Sequence, residues 1–299
     1  MVEGARLESV YTVKGIKGSN PFLSANNFYF NLMNNIIFII PTINSENYIT
    51  QLKNYLEKYG AKYFFFVDKK SSDNTYSILN KITDNVDYFD NNKSFLENSL
   101  EQLYSKFKDY YIFRLDDDEI PSPNLIFNLK KYTNIKKKIF GIRRYEALIY
   151  NNKEYISGPL SYYRSLVYRI NRQIGNNNKK KLFLENFSER RGIQYRFYLN
   201  KNLKFAKTLH SPGIEFSKKE VYKIPYSDGY LIHLNLLFKS IQERIKKIQR
   251  YNDVYKRGGS FNQFLYTPEL YIKDNQEILK YFLNRFPIFL NDYLKNIRL

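Results

Sequence analysis

Between residues 36 and 115 two patterns alternate along the chain. Ile36–Ile40 is an unbroken apolar run that ends at Pro41, and Tyr63–Val67, Val86–Phe89 and Tyr110–Leu115 repeat the theme. Runs of this length, apolar at nearly every position, suit strands buried on both faces of a parallel sheet. The intervening segments have helical spacing. Tyr48, Ile49, Leu52, Tyr55, Leu56 and Tyr59 recur on one face, with Ser45 placed as an N-cap and Gly60 as the stop. Ile78, Leu79 and Ile82 predict a short second helix, and Phe95 to Phe107 a third. Strand–helix alternation of this kind predicts a doubly wound α/β half over residues 36–132.

The rhythm changes after residue 139. Ile139–Tyr145, Tyr162–Ile170, Gln194–Leu199, Leu203–Lys207 and Asp228–Leu234 read as strands, with a polar loop at Asn176–Lys181. Residues 237–257 read as a basic helix with Ile241, Ile245 and Ile248 on one side. Residues 276–299 read as an aromatic helical stretch broken at Pro287. The organisation expected is an irregular leader over 1–35, one domain over 36–235 whose halves meet at 132/133, and a helical extension over 236–299. No apolar run approaches the roughly 20 residues of a membrane span.

The fourth strand runs straight into Asp116-Asp117-Asp118-Glu119. Adjacent carboxylates repel unless cations or donors offset them. In extended chain, positions two apart face the same side, which would aim Asp116 and Asp118 at one divalent ion and turn Asp117 away. Hard oxygen ligands suit Mg2+ or Mn2+, and open α/β sheets bind ligands beyond the carboxyl ends of their strands. The competing reading is a solvated acidic turn leading into a helix that starts near Pro121.

Composition narrows the chemistry. The 299 residues contain no cysteine, which excludes disulfides and thiolate zinc sites. The two histidines are His210 and His233, so any imidazole chemistry uses one of them. Neither a Gly-x-Gly-x-x-Gly nor a Gly-x-x-x-x-Gly-Lys-Ser/Thr is present, which argues against dinucleotide dehydrogenases and P-loop enzymes. The net charge of +19 is lopsided: residues 1–120 hold 13 Lys/Arg against 16 Asp/Glu, and residues 121–299 hold 35 against 13. The second part would attract a polyanion such as nucleic acid, an anionic glycan or anionic lipid. Lys, Asn, Ile, Tyr and Phe are also the residues of A/T-rich codons, an alternative source of the excess. Two other function classes therefore stay open. One is a basic nucleic-acid-binding protein with stacking aromatics, although no RNA-binding signature accompanies them. The other is a metal-dependent phosphotransferase or nuclease.

Three segments in order carry a family resemblance. Ile36-Ile37-Phe38-Ile39-Ile40-Pro41-Thr42-Ile43-Asn44 resembles the opening strand and turn of glycosyltransferase family 2. Val67-Asp68-Lys69-Lys70-Ser71-Ser72-Asp73-Asn74-Thr75 is similar to its second strand and Asp-rich turn, with Lys69 departing from a frequent second acid. Phe113-Arg114-Leu115-Asp116-Asp117-Asp118-Glu119 is similar to its metal motif. The resemblance implies a GT-A-like α/β fold, a doubly wound mixed sheet with C-terminal helices. It also implies a UDP- or GDP-sugar donor and Mn2+ or Mg2+ as cofactor. It assigns Pro41, Thr42, Asn44, Asp68, Asp116 and Asp117 to the donor nucleotide and its cofactor. Asp116 and Asp118 become metal ligands, with His233 as a third ligand from the second half of the fold. Inverting transfer needs a carboxylate base opposite the leaving group, and Glu189, with Glu185 in reserve, occupies the segment of an acceptor loop. A wider resemblance, through Gln194-Tyr195-Arg196-Phe197-Tyr198, His210, Tyr230-Leu231-Ile232-His233 and Glu243-Arg244-x-x-Lys247, is to the branch acting on lipopolysaccharide cores. It implies a glycan or lipid-linked acceptor and a cytoplasmic protein. For residues 237–257 and 276–299, basic residues with apolar ones at helical spacing suit peripheral contact with an anionic membrane. The alternative is that those faces pack on the core.

Overall fold

A computed structural model describes residues 35–90, 96–150, 153–157, 192–201, 203–206, 213–240, 242–245, 283–295 and 297. Residues 1–34 of the predicted leader, the strand at 162–170, the polar loop, Glu185, Glu189, His210 and all of 246–280 lie outside these residues.

Strands β1 (Ile36–Thr42), β2 (Tyr63–Asp68) and β3 (Val86–Phe89) pair in parallel, and β4 (Tyr111–Arg114) pairs in parallel on the other edge of β1. Alternate residues of β1 enter two different cores. Ile36, Phe38 and Ile40 join helices α1 (Ile49–Lys58) and α4 (Pro123–Thr133). Ile37 and Ile39 join Leu100, Leu103 and Tyr104 of α3 (Leu100–Tyr104). Burial on both faces is why these strands are apolar throughout. Helix α2 (Thr75–Ile82) completes this half. Gly60 ends α1 at φ 69°, as its place in the sequence predicts.

The sheet then turns antiparallel. Strand β8 (Ile193–Leu199) pairs with β4 and with β6 (Ile139–Tyr150), and β6 also pairs with β7 (Lys153–Ser157). Gly141 sits at a bulge in β6, where an added Cβ would stand 2.6 Å from the Ile193 side chain. Strand β9 (Val221–Lys223) lies along β6. Strand β10 (Leu231–His233) inserts between β6 and the short β5 (Glu119–Pro121). The described residues form one eleven-stranded mixed sheet.

Several local expectations need correction. Tyr48, not Ser45, is the N-cap of α1, because the Ser45 hydroxyl is drawn to Asp117. The third predicted helix is broken into 3-10 turns around a five-residue α3. Helix α4 begins at Pro123 with Ser122 as a true cap, its Oγ accepting from the Leu125 amide at 3.3 Å. The C-terminal stretch is not one kinked helix. It contains a strand, β11 (Leu283–Arg285), paired with β7, and then α6 (Ile288–Leu294) starting from Pro287. Phe286, Leu290 and Tyr293 are buried, and Tyr55 of α1 meets Tyr293 edge-on at 5.6 Å. These aromatics therefore pack on the core rather than offering a lipid-facing stripe. Among the described residues no helix is long and apolar enough to cross a membrane.

Candidate active site

The acidic cluster leaves β4 as a tight turn, closed by a hydrogen bond from the Glu119 amide to the Asp116 carbonyl at 3.0 Å. A turn has no two-residue alternation, so the expectation that Asp116 and Asp118 share one side with Asp117 turned away does not hold. Each carboxylate instead meets a different set of partners.

Asp116 is held by cations. Arg196 of β8 donates to its two oxygens at 3.2 and 2.5 Å, and Arg114 lies 3.4 Å away. Burial alone would raise its pKa, but the two guanidiniums outweigh burial and hold it well below the usual carboxylate range. Arg196 also donates to Glu119 at 3.0 Å, and Arg144 of β6 reaches the same Glu119 oxygen at 3.1 Å. Glu119 is fully buried, and without these arginines it would be an unpaired internal charge.

Asp117 points to the first strand's turn. Its Oδ2 accepts from the Thr42 hydroxyl at 2.8 Å, from the Ile43 amide at 3.2 Å and from the Ser45 hydroxyl. Its pKa is raised, first by burial and then by the neighbouring Asp118. The same turn is stitched to the β2–α2 loop. Asn44 adopts φ 52° and accepts from the Ser72 amide at 2.8 Å, while the Ser45 amide donates to Thr75 at 2.7 Å. Asp68, at the end of β2, is buried and accepts from the Lys70 amide at 2.9 Å. Pro41, Thr42, Asn44, Asp68 and Asp117 thus gather where β1, β2 and β4 end together.

Asp118 faces the second half. Its Oδ2 lies 3.4 Å from Nε2 of His233 and 3.5 Å from Nζ of Lys239. On its other side, His233 Nδ1 is 2.6 Å from Glu146 of β6, the register partner of His233 on β10. Burial would lower the imidazole pKa. The carboxylates of Glu146 and Asp118 overcome it and push the group up to about 9. Glu146 itself is lowered against burial by His233 and then Arg144.

The donor set can be tested against a divalent ion. Octahedral Mg2+ with oxygen ligands at about 2.1 Å places neighbouring ligand atoms ~3 Å apart. The gap of 3.4 Å between Asp118 Oδ2 and His233 Nε2 is close to that spacing. A Glu146–His233 hydrogen bond through Nδ1 would leave Nε2 as the free ligand atom, the usual outer support of a metal-bound imidazole. Asn235, two residues beyond His233, keeps a buried Oδ1 with no hydrogen-bond partner in the described structure. Among the described residues no three Asp, Glu or His side chains converge on one point. Two protein ligands completed by waters and phosphate oxygens is the ordinary arrangement for such ions. Asp116 fits this role less well, because Arg196 engages both its oxygens.

Acids and tight turns gathered beyond the carboxyl ends of an open α/β sheet lie where such folds bind their ligands. Residues 37–198 match the model of the family described as glycosyl transferase family 2. With more than half of its length inside that match, the chain belongs to this family, and its mixed α/β sheet is GT-A-like. No curated protein matches the chain.

Three participants in this geometry, Arg144, Arg196 and Glu146, were not among the sequence-selected site residues. The available signal was stoichiometric: four consecutive acids need cations, and Arg114, Arg144 and Arg196 are among the arginines on predicted strands.

Proposed function

We propose that this member of glycosyl transferase family 2 carries out metal-dependent, inverting transfer from a UDP- or GDP-sugar to a glycan or lipid-linked acceptor. The observation that supports this most directly is Asp118 Oδ2 set opposite His233 Nε2 beside the β1 and β2 turns.

In this reading Asp118 and His233 hold Mn2+ or Mg2+. The bound ion supplies charge neutralisation to the leaving diphosphate. Asp68, Thr42 and Asn44 receive the nucleoside at the first two turns, and Asp117 fixes the shape of the first turn. Asp116 acts through Arg196, holding β8 against the acidic turn. The acceptor hydroxyl attacks the anomeric carbon as the bond from that carbon to the phosphate oxygen breaks. The hydroxyl proton passes to a carboxylate on the opposite face, for which Glu189, then Glu185, are the candidates. The transition state is oxocarbenium-like, as in glycoside hydrolysis. The basic second part of the chain suits an anionic acceptor, such as a phosphorylated glycan core of the lipopolysaccharide kind or a lipid-linked diphosphate at a cytoplasmic membrane face.

The test is nucleoside diphosphate release from a panel of UDP- and GDP-sugars with Mn2+. Asp118→Asn should lower turnover at least about a hundredfold, the scale lost when a group stabilising transition-state charge is removed. Asp116→Asn should keep Mn2+ affinity within about threefold, because two arginines rather than the ion answer its charge. Wild-type turnover in Asp118→Asn with Mn2+ present would sink the metal assignment.

A further inference from the structure

Two cations face one oxygen of Asp118. His233 Nε2 stands 3.4 Å from Oδ2 and Lys239 Nζ stands 3.5 Å from it. The Asp118 side chain is only 7% exposed and that of Lys239 30%, so the lysine is the more solvent-accessible partner. The lysine's backbone is fixed close by. The Leu234 amide donates to the Asp118 carbonyl at 2.7 Å, the Phe238 amide to the Leu234 carbonyl at 3.0 Å, and the Lys239 amide to the Asn235 carbonyl at 3.2 Å. Helix α5 (Asn235–Phe238) thus carries Lys239 on a short rigid tether from the acid it pairs with. Only the four-carbon stem is free to swing.

We propose that Lys239 is a resident counter-cation: it neutralises Asp118 in the metal-free enzyme, yields that oxygen to the divalent ion, and then binds the donor's diphosphate. The proposal rests on the metal reading above and extends it to a residue that reading does not use. A divalent ion on Asp118 Oδ2 repels an ammonium at the same oxygen, since like charges a few ångströms apart interact strongly in a partly buried site. Of the neighbouring carboxylates, Glu146 is held by His233 and Arg144, and Oδ2 of Asp117 accepts from Thr42, Ile43 and Ser45. A diphosphate arriving with the metal brings new negative charge to an ammonium displaced from Asp118. A lysine suits this task better than an arginine, because its compact ammonium on a flexible stem can change partners without a fixed fork geometry.

This arrangement predicts effects of opposite sign. Lys239→Ala removes an internal competitor, so Mn2+ alone should bind about fivefold tighter, the scale of one partly exposed ion pair. The same substitution should weaken UDP or GDP binding in saturating Mn2+ about tenfold, because the diphosphate loses the cation released from Asp118. Lys239→Arg should restore nucleotide binding at least in part. Calorimetric titrations of Mn2+ alone, and of UDP and GDP in saturating Mn2+, on wild type, both lysine variants and Asp118→Asn would decide it. Tighter Mn2+ together with weaker nucleotide supports the handover. Any other pairing in Lys239→Ala overturns it, including tighter Mn2+ with unchanged nucleotide. The two readings fail separately. If Asp118→Asn keeps Mn2+ affinity, the metal assignment falls, and the nucleotide titration of Lys239→Ala still shows whether Lys239 meets the diphosphate. If Asp118→Asn loses Mn2+ while Lys239→Ala leaves it unchanged, the metal assignment stands and the handover falls.

Discussion

Replacing Arg196 by methionine would test whether the acidic turn is held by ion pairing or by the fold around it. Methionine keeps an unbranched stem of similar length, so the packing lost is small. What disappears is a buried guanidinium that donates to Asp116 at 3.2 and 2.5 Å and to Glu119 at 3.0 Å. Removing one partner of a buried ion pair costs about 3–5 kcal/mol. The lower end applies here, because Asp116 keeps Arg114 at 3.4 Å and Glu119 keeps Arg144 at 3.1 Å. A loss of about 3 kcal/mol corresponds to roughly 5 °C in melting temperature for a chain of 299 residues. The loss should also depend on pH in a defined direction. Asp116 has a lowered pKa in the folded state, so its pairing stabilises above the ordinary carboxylate pKa and fades as pH falls below it. The difference between wild type and Arg196→Met in urea denaturation should therefore hold nearly constant from pH 7 to about pH 4 and narrow below that. A difference under about 1 kcal/mol at pH 7, the range of surface pairs, would refute the argument that the arginine holds the turn.

Two further outcomes follow from the same geometry. His233 has a pKa raised to about 9, so the stability its charge contributes is complete below the ordinary imidazole value and is lost as pH rises through 9. In EDTA the melting temperature should fall between pH 7 and pH 10, and Glu146→Gln should flatten that fall, as read by differential scanning calorimetry. Gly229 sits at φ 135° just before β10, where an added Cβ would stand 2.4 Å from the backbone of Leu125. Gly229→Ala should destabilise the fold by about 2–3 kcal/mol or more through overpacking and backbone strain, and wild-type melting would contradict the placement of β10.

The parallel half was legible in the sequence for a physical reason. Strands covered on both faces must be apolar throughout, so β1, β2 and β4 stood out against the helical spacing of α1 and α2. Elements that depend on distant partners were not legible. Strand β5 is three residues long and exists because β10, more than 100 residues later, pairs with it. Strand β11 follows β7 by pairing rather than by any pattern of its own. Ser45 had the spacing of a cap, yet its hydroxyl met an acid 72 residues away that sequence spacing could not reveal. In the site, the acidic cluster and His233 were readable as residue types in a suggestive order. How the acids divide their partners was not, because a single turn at Asp116–Glu119 redirects each side chain. Glu146 and Arg196 enter only through cross-strand register.

The insertion of β10 between β5 and β6 also bears on the order in which the molecule is assembled. The first four strands can condense from neighbouring segments as the chain is made, but Asp118 then faces a gap. Its partners His233 and Lys239 arrive only after residues 139–230 have been synthesised and β6 is in place to receive the new strand. Pairings between such distant segments form late and slowly. The emerging polypeptide therefore carries its acidic turn without the histidine and lysine that face it, and an incomplete chain leaves Asp118 without either cation.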